Sequence, residues 1–462
     1  MKRKIAAGFI GIVVFLYLIL RGMSVVPVQA VQSMGSLDNS DVEQVVRPDL
    51  KALPFQSGQL IVKFKHDADI EELKDLNLQY PVALAKRFHT GAELIKLPGI
   101  SRDELIKLKD ILDKSGLVQY AEFDYLVHPA EFPSNDPLFF RLWGLQNRGQ
   151  IIEFITGKDG IDINAVPAWT ITRGSPELVV AVIDTGVDLG HPELQDRAWI
   201  NPGEIPGNGI DDDNDGYVDD INGWDFLNND NTVYDAADND IHGTHVAGTI
   251  AANFNNGQGI CGVAPNVKIM ALKFIGPDGG TISGAISAIE YAGRMGVRLS
   301  NNSWSGTEYS QAMKDAIDQS GMLFVAASGN SGADTDSAPE YPAAYASDNI
   351  ISVAAIDNRG NLPTWSNYGP ATVDLGAPGA GIYSIFELIP NSHYLYGPIS
   401  GTSQATPHVT GTAALVMSQF SGLTAQQVKD RIIASVKPLA SLQGKTVSGG
   451  MVDAYGALTG QP

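Results

Sequence analysis

The sequence predicts an α/β protein: a mostly parallel sheet with helices on both faces, preceded by a small α+β domain. Three observations predict it. Downstream of residue 134, short apolar runs rich in branched residues alternate with helical stretches. Upstream, residues 56–130 alternate strand and helix patterns of their own. Charge divides the chain at the same place: residues 1–130 hold 16 Lys+Arg against 16 Asp+Glu, whereas 131–462 hold 15 against 36, the whole of the net −21.

Residues 1–30 read as a secretory signal. Lys2, Arg3 and Lys4 precede an apolar run from Ile5 to Leu20, and Val28-Gln29-Ala30 supplies a small-residue stop. The run is shorter than the roughly 20 residues a spanning helix needs, and Arg21 closes it. A cleaved signal is therefore expected rather than an anchor, with a secreted or extracytoplasmic location and no stable membrane association afterwards. Residues 31–55 are polar and turn-rich, a linker.

In the small domain, 59–65 and 92–97 have strand character and 70–76 can form a short amphipathic helix. Ser101 with Glu104 three residues on is a capping box opening a helix to about Lys114, and 118–127 returns to strand. A Pro-rich link, 128–133, leads to the second domain, 134–462. There, strands are expected at 179–183, 267–274, 297–302, 322–326 and 350–355, with helices at 281–295 and 309–318. In such a sheet functional groups gather at strand ends.

So acidic a body repels phosphate backbones, which argues against a nucleic-acid partner and fits cation binding. Cys261 is the single cysteine, so neither an intrachain disulfide nor a cysteine-rich metal cluster can form.

Three segments bear chemistry. Val180-Ala181-Val182-Ile183-Asp184-Thr185-Gly186 delivers an acid at the end of an apolar strand, which alone could be a loop cap. His242-Gly243-Thr244-His245-Val246-Ala247-Gly248 opens a small-residue helix. Its two histidines lack the H-E-x-x-H spacing and internal glutamate of zinc enzymes, so His245 reads as a packed structural histidine. Ser400-Gly401-Thr402-Ser403-Gln404-Ala405 places a hydroxyl near a helix N-terminus; Ala405 breaks the G-x-S-x-G elbow, which disfavours an α/β-hydrolase.

Taken together, these segments resemble the subtilisin-like serine proteases, or subtilases, over about 135–460. The order Asp, His, Ser is the known order of subtilisin's triad. The resemblance implies a subtilisin-like fold, a serine endopeptidase of polypeptide substrates, and a triad of Asp184, His242 and Ser403. Ala326-Ala327-Ser328-Gly329-Asn330 also matches, which implies that Asn330 supplies the side-chain amide of an oxyanion hole. Ser303-Trp304-Ser305-Gly306 would form one edge of the cleft, with Ala327, Ser328 and Gly329 opposite. By the same resemblance Glu340, just before Tyr341-Pro342, would approach the floor of the primary pocket, where a carboxylate would favour Lys or Arg; a solvated loop glutamate is the alternative.

The resemblance further implies that 56–130 is an inhibitor-like propeptide, so the chain is a zymogen whose own N-terminal domain is its intramolecular inhibitor. Autoprocessing and a monomeric enzyme are expected. The stretch Gly449 to Ala454 resembles the end of the catalytic domain, with no extension expected beyond it.

Two calcium sites are expected. By resemblance, Asp136, Asp225 and Asn256 would hold one ion, with backbone carbonyls from Phe254, Gln258 and Ile260. By spacing, Asp211, Asp213, Asp215 and Asp219 occupy loop positions one, three, five and nine, with Gly216 at six. Asn222 stands where an EF-hand has its glutamate, so an EF-hand proper is not expected. The competing class is a catalytically silent binding protein on the same scaffold, against which the presence of all three triad residues and Asn330 argues.

Overall fold

The computed structural model describes residues 55–460 except 66–67, 74–80, 126–132, 239 and 389–393. The signal segment, the linker as far as residue 54 and most of the Pro-rich link lie outside the described residues. The chain forms two compact units, within 1–130 and within 131–462. Among the described residues no helix is long and apolar enough to cross a membrane.

The first unit is a four-stranded antiparallel sheet with one helix. In chain order it comprises β1 (Phe55–Phe64), β2 (Ala83–Arg87), β3 (Glu93–Lys96), α1 (Arg102–Ser115) and β4 (Val118–Tyr125), and the sheet order is β2-β3-β1-β4. Alternation along β1 buries Leu60 and Val62 against Leu105, Leu108 and Leu112, which helical spacing gathers on one face of α1. The capping box of Ser101 and Glu104 forms as expected, and Gly116 ends the helix at a φ of +75°. Ile70 to Leu73 makes a turn rather than the start of a helix. No expectation covered β2, since all five of its residues are exposed and it has no apolar alternation to read.

The second unit is a nine-stranded sheet. Its strands are β5 (Val179–Asp184), β6 (Gly223–Asp225), β7 (Lys268–Lys273), β8 (Leu299–Asn302), β9 (Leu323–Ala327), β10 (Ile350–Ile356), β11 (Leu375–Pro378), β14 (Lys437–Pro438) and β15 (Gly450–Met451). A separate hairpin, β12 (Ile382–Leu388) with β13 (Tyr394–Ile399), precedes the last two in sequence. The sheet order is β14-β15-β11-β10-β9-β8-β5-β7-β6, and every pairing is parallel except β14 with β15. Beyond a single turn at Ala165–Ala168, the helices are α2 (Ile241–Ala251), α3 (Ile282–Arg294), α4 (Gln311–Ser320), α5 (Thr402–Gln419), α6 (Ala425–Ala434) and α7 (Ala454–Thr459).

Residues of β5 alternate between two cores. Val180 and Val182 pack with α2 and α5, whereas Ala181 and Ile183 pack with α3 and α4. A central strand buried on both faces cannot show polar alternation, and its continuous apolar run follows from that. Helix α5 is buried on nearly every side, which explains its run of Ala, Val, Thr and Gly.

Candidate active site

Strand order reverses at β5, with β7 on one side and β8 on the other. Such a reversal leaves a crevice at the strand's carboxyl end, where Asp184 lies. His242, in the first turn of α2, meets it: Asp184 Oδ1 and His242 Nδ1 are 2.7 Å apart. The approach requires Gly243, because a Cβ there would collide with Gly186 O and crowd the Asp184 side chain. Asp184 is fully buried, while a third of the His242 side chain is exposed, so a reactant can reach the imidazole. Burial disfavours the imidazolium, but the charge of Asp184 and its hydrogen bond outweigh it and raise the His242 pKa above its usual value.

Ser403 reaches the same crevice from α5. Strand β8 lies beside β5 with Asn301 opposite Val182, so Ser303 follows level with Asp184, about 4.8 Å across the sheet. Ser403 Oγ donates to Ser303 O at 3.0 Å, and Ser303 Oγ donates to Ser403 O at 2.8 Å. The hydroxyl is thus turned to a carbonyl rather than to His242. Rotation about its Cα–Cβ bond would release it, and catalytic hydrogen bonds commonly tighten only once substrate is bound.

Asn330 follows β9. Its Oδ1 accepts from Thr402 N at 2.8 Å and Thr402 Oγ1 at 3.0 Å. Asn330 is exposed, and with its oxygen held the amide nitrogen is left as a free donor beside Gly401, at the start of α5. Gly329 N is tied to Thr402 Oγ1 as well, at 3.2 Å. Thr402 was not singled out in the sequence, although it stands next to Ser403.

The two cleft segments are brought together. Ser303, Ala327, Ser328 and Gly329 are buried, Trp304 is half-buried with Nε1 donating to Ile183 O at 3.0 Å, and Ser305 and Gly306 are exposed. Gly306 exchanges two backbone hydrogen bonds with Tyr341, at 2.8 and 2.7 Å, so the edge open to an added strand ends at Ser305. His245 is structural, as expected: it is fully buried, its Nε2 faces Ile382 O at 2.9 Å, and burial with the nearby His242 charge lowers its pKa to about 3.

The acidic residues fall into three groups. Asp136 accepts from the N–H groups of Asn255, Asn256 and Gly257 at 3.0, 3.1 and 3.2 Å, and Asn256 Nδ2 donates to Glu193 Oε2 at 2.8 Å. The loop carrying Phe254, Gln258 and Ile260 wraps this pair, and Ile260 N donates to Glu193 Oε1 at 3.0 Å. Glu193 is buried, which with the charge of Asp136 raises its pKa. Asp225 is a correction. It lies in a different cluster, with its carboxylate 3.8 Å from the fully buried Lys273 and bonded to the N–H groups of Leu227 and Asn228 at 2.7 and 3.0 Å. A carboxylate already facing an ammonium is a poor cation ligand. Glu193 is the acid that stands with Asp136 and Asn256, and nothing in its local spacing signals this.

In the third group, Asp211, Asp213 and Asp215 present one oxygen each within 4.8 Å of one another, and so do Glu204, Asp213 and Asp220. Asp215 Oδ2 is buried without a hydrogen-bond partner, although Arg294 lies 3.6 Å away. Burial with repulsion from Asp220 and Asp213 raises the Asp215 pKa to about 6. Asp219 is the second correction. Its carboxylate accepts from Asn208 N at 3.2 Å and Gly209 N at 2.8 Å, which turns it to the neighbouring loop. Glu204 and Asp220 take its place beside Asp213.

A family model described as the subtilase family matches residues 175–456. A thermophilic serine proteinase from Bacillus sp. (strain AK1) is 34% identical over 410 residues, covering 88% of this chain and 88% of that protein. Thermitase from Thermoactinomyces vulgaris is 35% identical over 297 residues, 64% of this chain and 93% of the relative. A solved structure of a protease from Pseudoalteromonas arctica superposes with a TM-score of 0.57 at 28% identity, over 71% of this chain and 99% of the other.

Proposed function

Since the chain belongs to the subtilase family and is a serine-type endopeptidase, we propose that it cleaves polypeptides with Ser403 as nucleophile, His242 as general base and Asp184 as the group that orients it. The observation that carries this reading is the 2.7 Å contact between Asp184 Oδ1 and His242 Nδ1 at the switch point of the sheet, with Ser403 Oγ bonded to Ser303 at the end of the neighbouring strand. A serine hydroxyl is a weak nucleophile until a base takes its proton. His242 takes it as Ser403 Oγ bonds to the scissile carbonyl carbon; the carbonyl electrons move to oxygen. The amide of Asn330 and the backbone N–H of Ser403 stabilise that oxyanion. His242 then gives the proton to the leaving amine, an acyl-enzyme remains, and water repeats the sequence to release Ser403.

Residues 56–130 act as an inhibitory propeptide of a secreted zymogen, with 1–30 its signal peptide. The enzyme removes its own propeptide at the link near 128–133 and works as a monomer. Calcium is its structural ion. Asp136, Glu193 and Asn256 with the carbonyls of Phe254, Gln258 and Ile260 suit one site, and Asp211, Asp213, Asp215, Glu204 and Asp220 suit another. Crowded carboxylates with raised pKa values support both. Bound there, the ion neutralises like charges and ties loops to the body; it takes no part in peptide cleavage.

Processing tests the reading. Ser403→Ala should accumulate as a species retaining residues from about 31 onward, in a preparation free of other proteases. Normal maturation of that variant would contradict self-cleavage.

A further inference from the structure

Glu340 lies between the two segments that flank Ser403. The paired bonds of Gly306 and Tyr341 bring residue 340 beside Ser305, and Ser305 Oγ donates to Glu340 Oε2 at 2.8 Å. On its other side, Ser331 Oγ and Asn367 Nδ2 each donate to Glu340 Oε1 at 2.8 Å. The carboxylate rests over Gly329, where a Cβ would collide with it and where φ is +105°, so only glycine suits this backbone. Asn367 is fully buried and fixes both sides of the arrangement. Its Oδ1 accepts from Ser331 N at 3.0 Å and Ala333 N at 2.8 Å, and its Nδ2 also donates to Ser328 O at 2.9 Å.

All three donors to Glu340 are neutral. Among the described residues no Lys, Arg or His forms an ion pair with it. The carboxylate is therefore held in place but not neutralised, between the segment that carries Ser303 and the segment that carries Asn330. When a peptide carbonyl sits on Ser403 with its oxygen toward Asn330, the side chain of that residue projects between 303–305 and 327–329. Resting on the serine-protease reading above, we propose that Glu340 is a specificity-determining residue that selects Lys or Arg as the residue whose carbonyl is attacked. Burying a Leu or Phe there would leave the acid facing apolar surface, which costs binding free energy.

The test is kcat/KM on matched peptides that differ only at that residue, Lys, Arg, Leu or Phe, with the mature enzyme. Wild type should favour the basic peptides by about tenfold or more, the scale of a desolvated charge pair. Glu340→Gln, which keeps the shape and three hydrogen-bonding neighbours, should cut the basic rates by about tenfold and raise those of Leu and Phe, because no charge then faces their apolar surface. Glu340→Asp should retain a basic preference, and thermal melting shows that each variant is folded. Preference for Leu or Phe in wild type, or a ratio unchanged in Glu340→Gln, would overturn the inference while leaving the protease reading intact. Failure to cut any of the peptides would count against both.

Discussion

Ser303 and Ser403 hold each other by two reciprocal hydrogen bonds, each hydroxyl donating to the other's backbone carbonyl at 3.0 and 2.8 Å. The pairing has a local cause. Pro407 lies four residues beyond Ser403 inside α5 and has no N–H, so the Ser403 carbonyl lacks its helical donor. Ser303 supplies the replacement and thereby locks the nucleophile's turn to the end of β8.

From this follows a paired-variant expectation. Ser303→Ala leaves the Ser403 carbonyl without a donor and should lower unfolding free energy by about 1 kcal/mol. Adding Pro407→Ala returns an N–H at the helical position, so the double variant should recover part of that loss. Equal destabilisation in urea unfolding of single and double variants would refute the account of Pro407.

A second expectation concerns pH. The Asp184 carboxylate raises the His242 pKa against the effect of burial, and only neutral imidazole can accept the Ser403 proton. The acid limb of kcat/KM should therefore have its midpoint above the 6.5 of an ordinary histidine, with activity lost as pH falls through it. Asp184→Asn removes the charge and should lower the rate by roughly 10⁴-fold, the scale of an Asp→Asn change in a serine-protease triad. A midpoint below 6.5 in wild type would contradict the assignment.

For Asn330 the expectation is a selective loss. Thr402 holds the amide oxygen, so the amide nitrogen alone is left to serve the developing oxyanion. Asn330→Leu should reduce kcat by about 10²–10³-fold, the scale of losing one oxyanion-hole donor, with KM little altered. A rise in KM at constant kcat would point to a ground-state contact instead.

The proposed triad is legible in the sequence because each member has a local signature: an acid ending an apolar run, a histidine opening a small-residue helix, a serine beside Gly401. The proposed cation ligands are not. Asp225 and Glu193 are both acids near loops, and what separates them is tertiary: β6 lies parallel to β7 with Asp225 opposite Lys273, 48 positions along the chain. Asp219 has the right loop spacing, but its backbone turns at a φ of +54° and its carboxylate serves Asn208 and Gly209. Strands β6, β11 and β15 escaped notice because they are short, contain Gly or Pro, and exist only through their neighbours.

Calcium should stabilise the fold. An ion that binds only the native state adds RT ln(1 + [L]/Kd), about 2.7 kcal/mol at a hundredfold excess over Kd. Tm should rise with calcium and fall with chelator. Asp213→Ala should blunt the response, because Asp213 belongs to both carboxylate groups in its loop. A melting curve unmoved between millimolar calcium and chelator would remove both sites.

Labelling of the nucleophile tests the central claim most directly. Mature protein treated with a fluorophosphonate and digested should carry a single adduct, located by mass spectrometry on Ser403, and labelling should fall sharply in the His242→Ala variant. An adduct on another serine, or none on active enzyme, would contradict the assignment of Ser403 as the group that attacks the peptide bond.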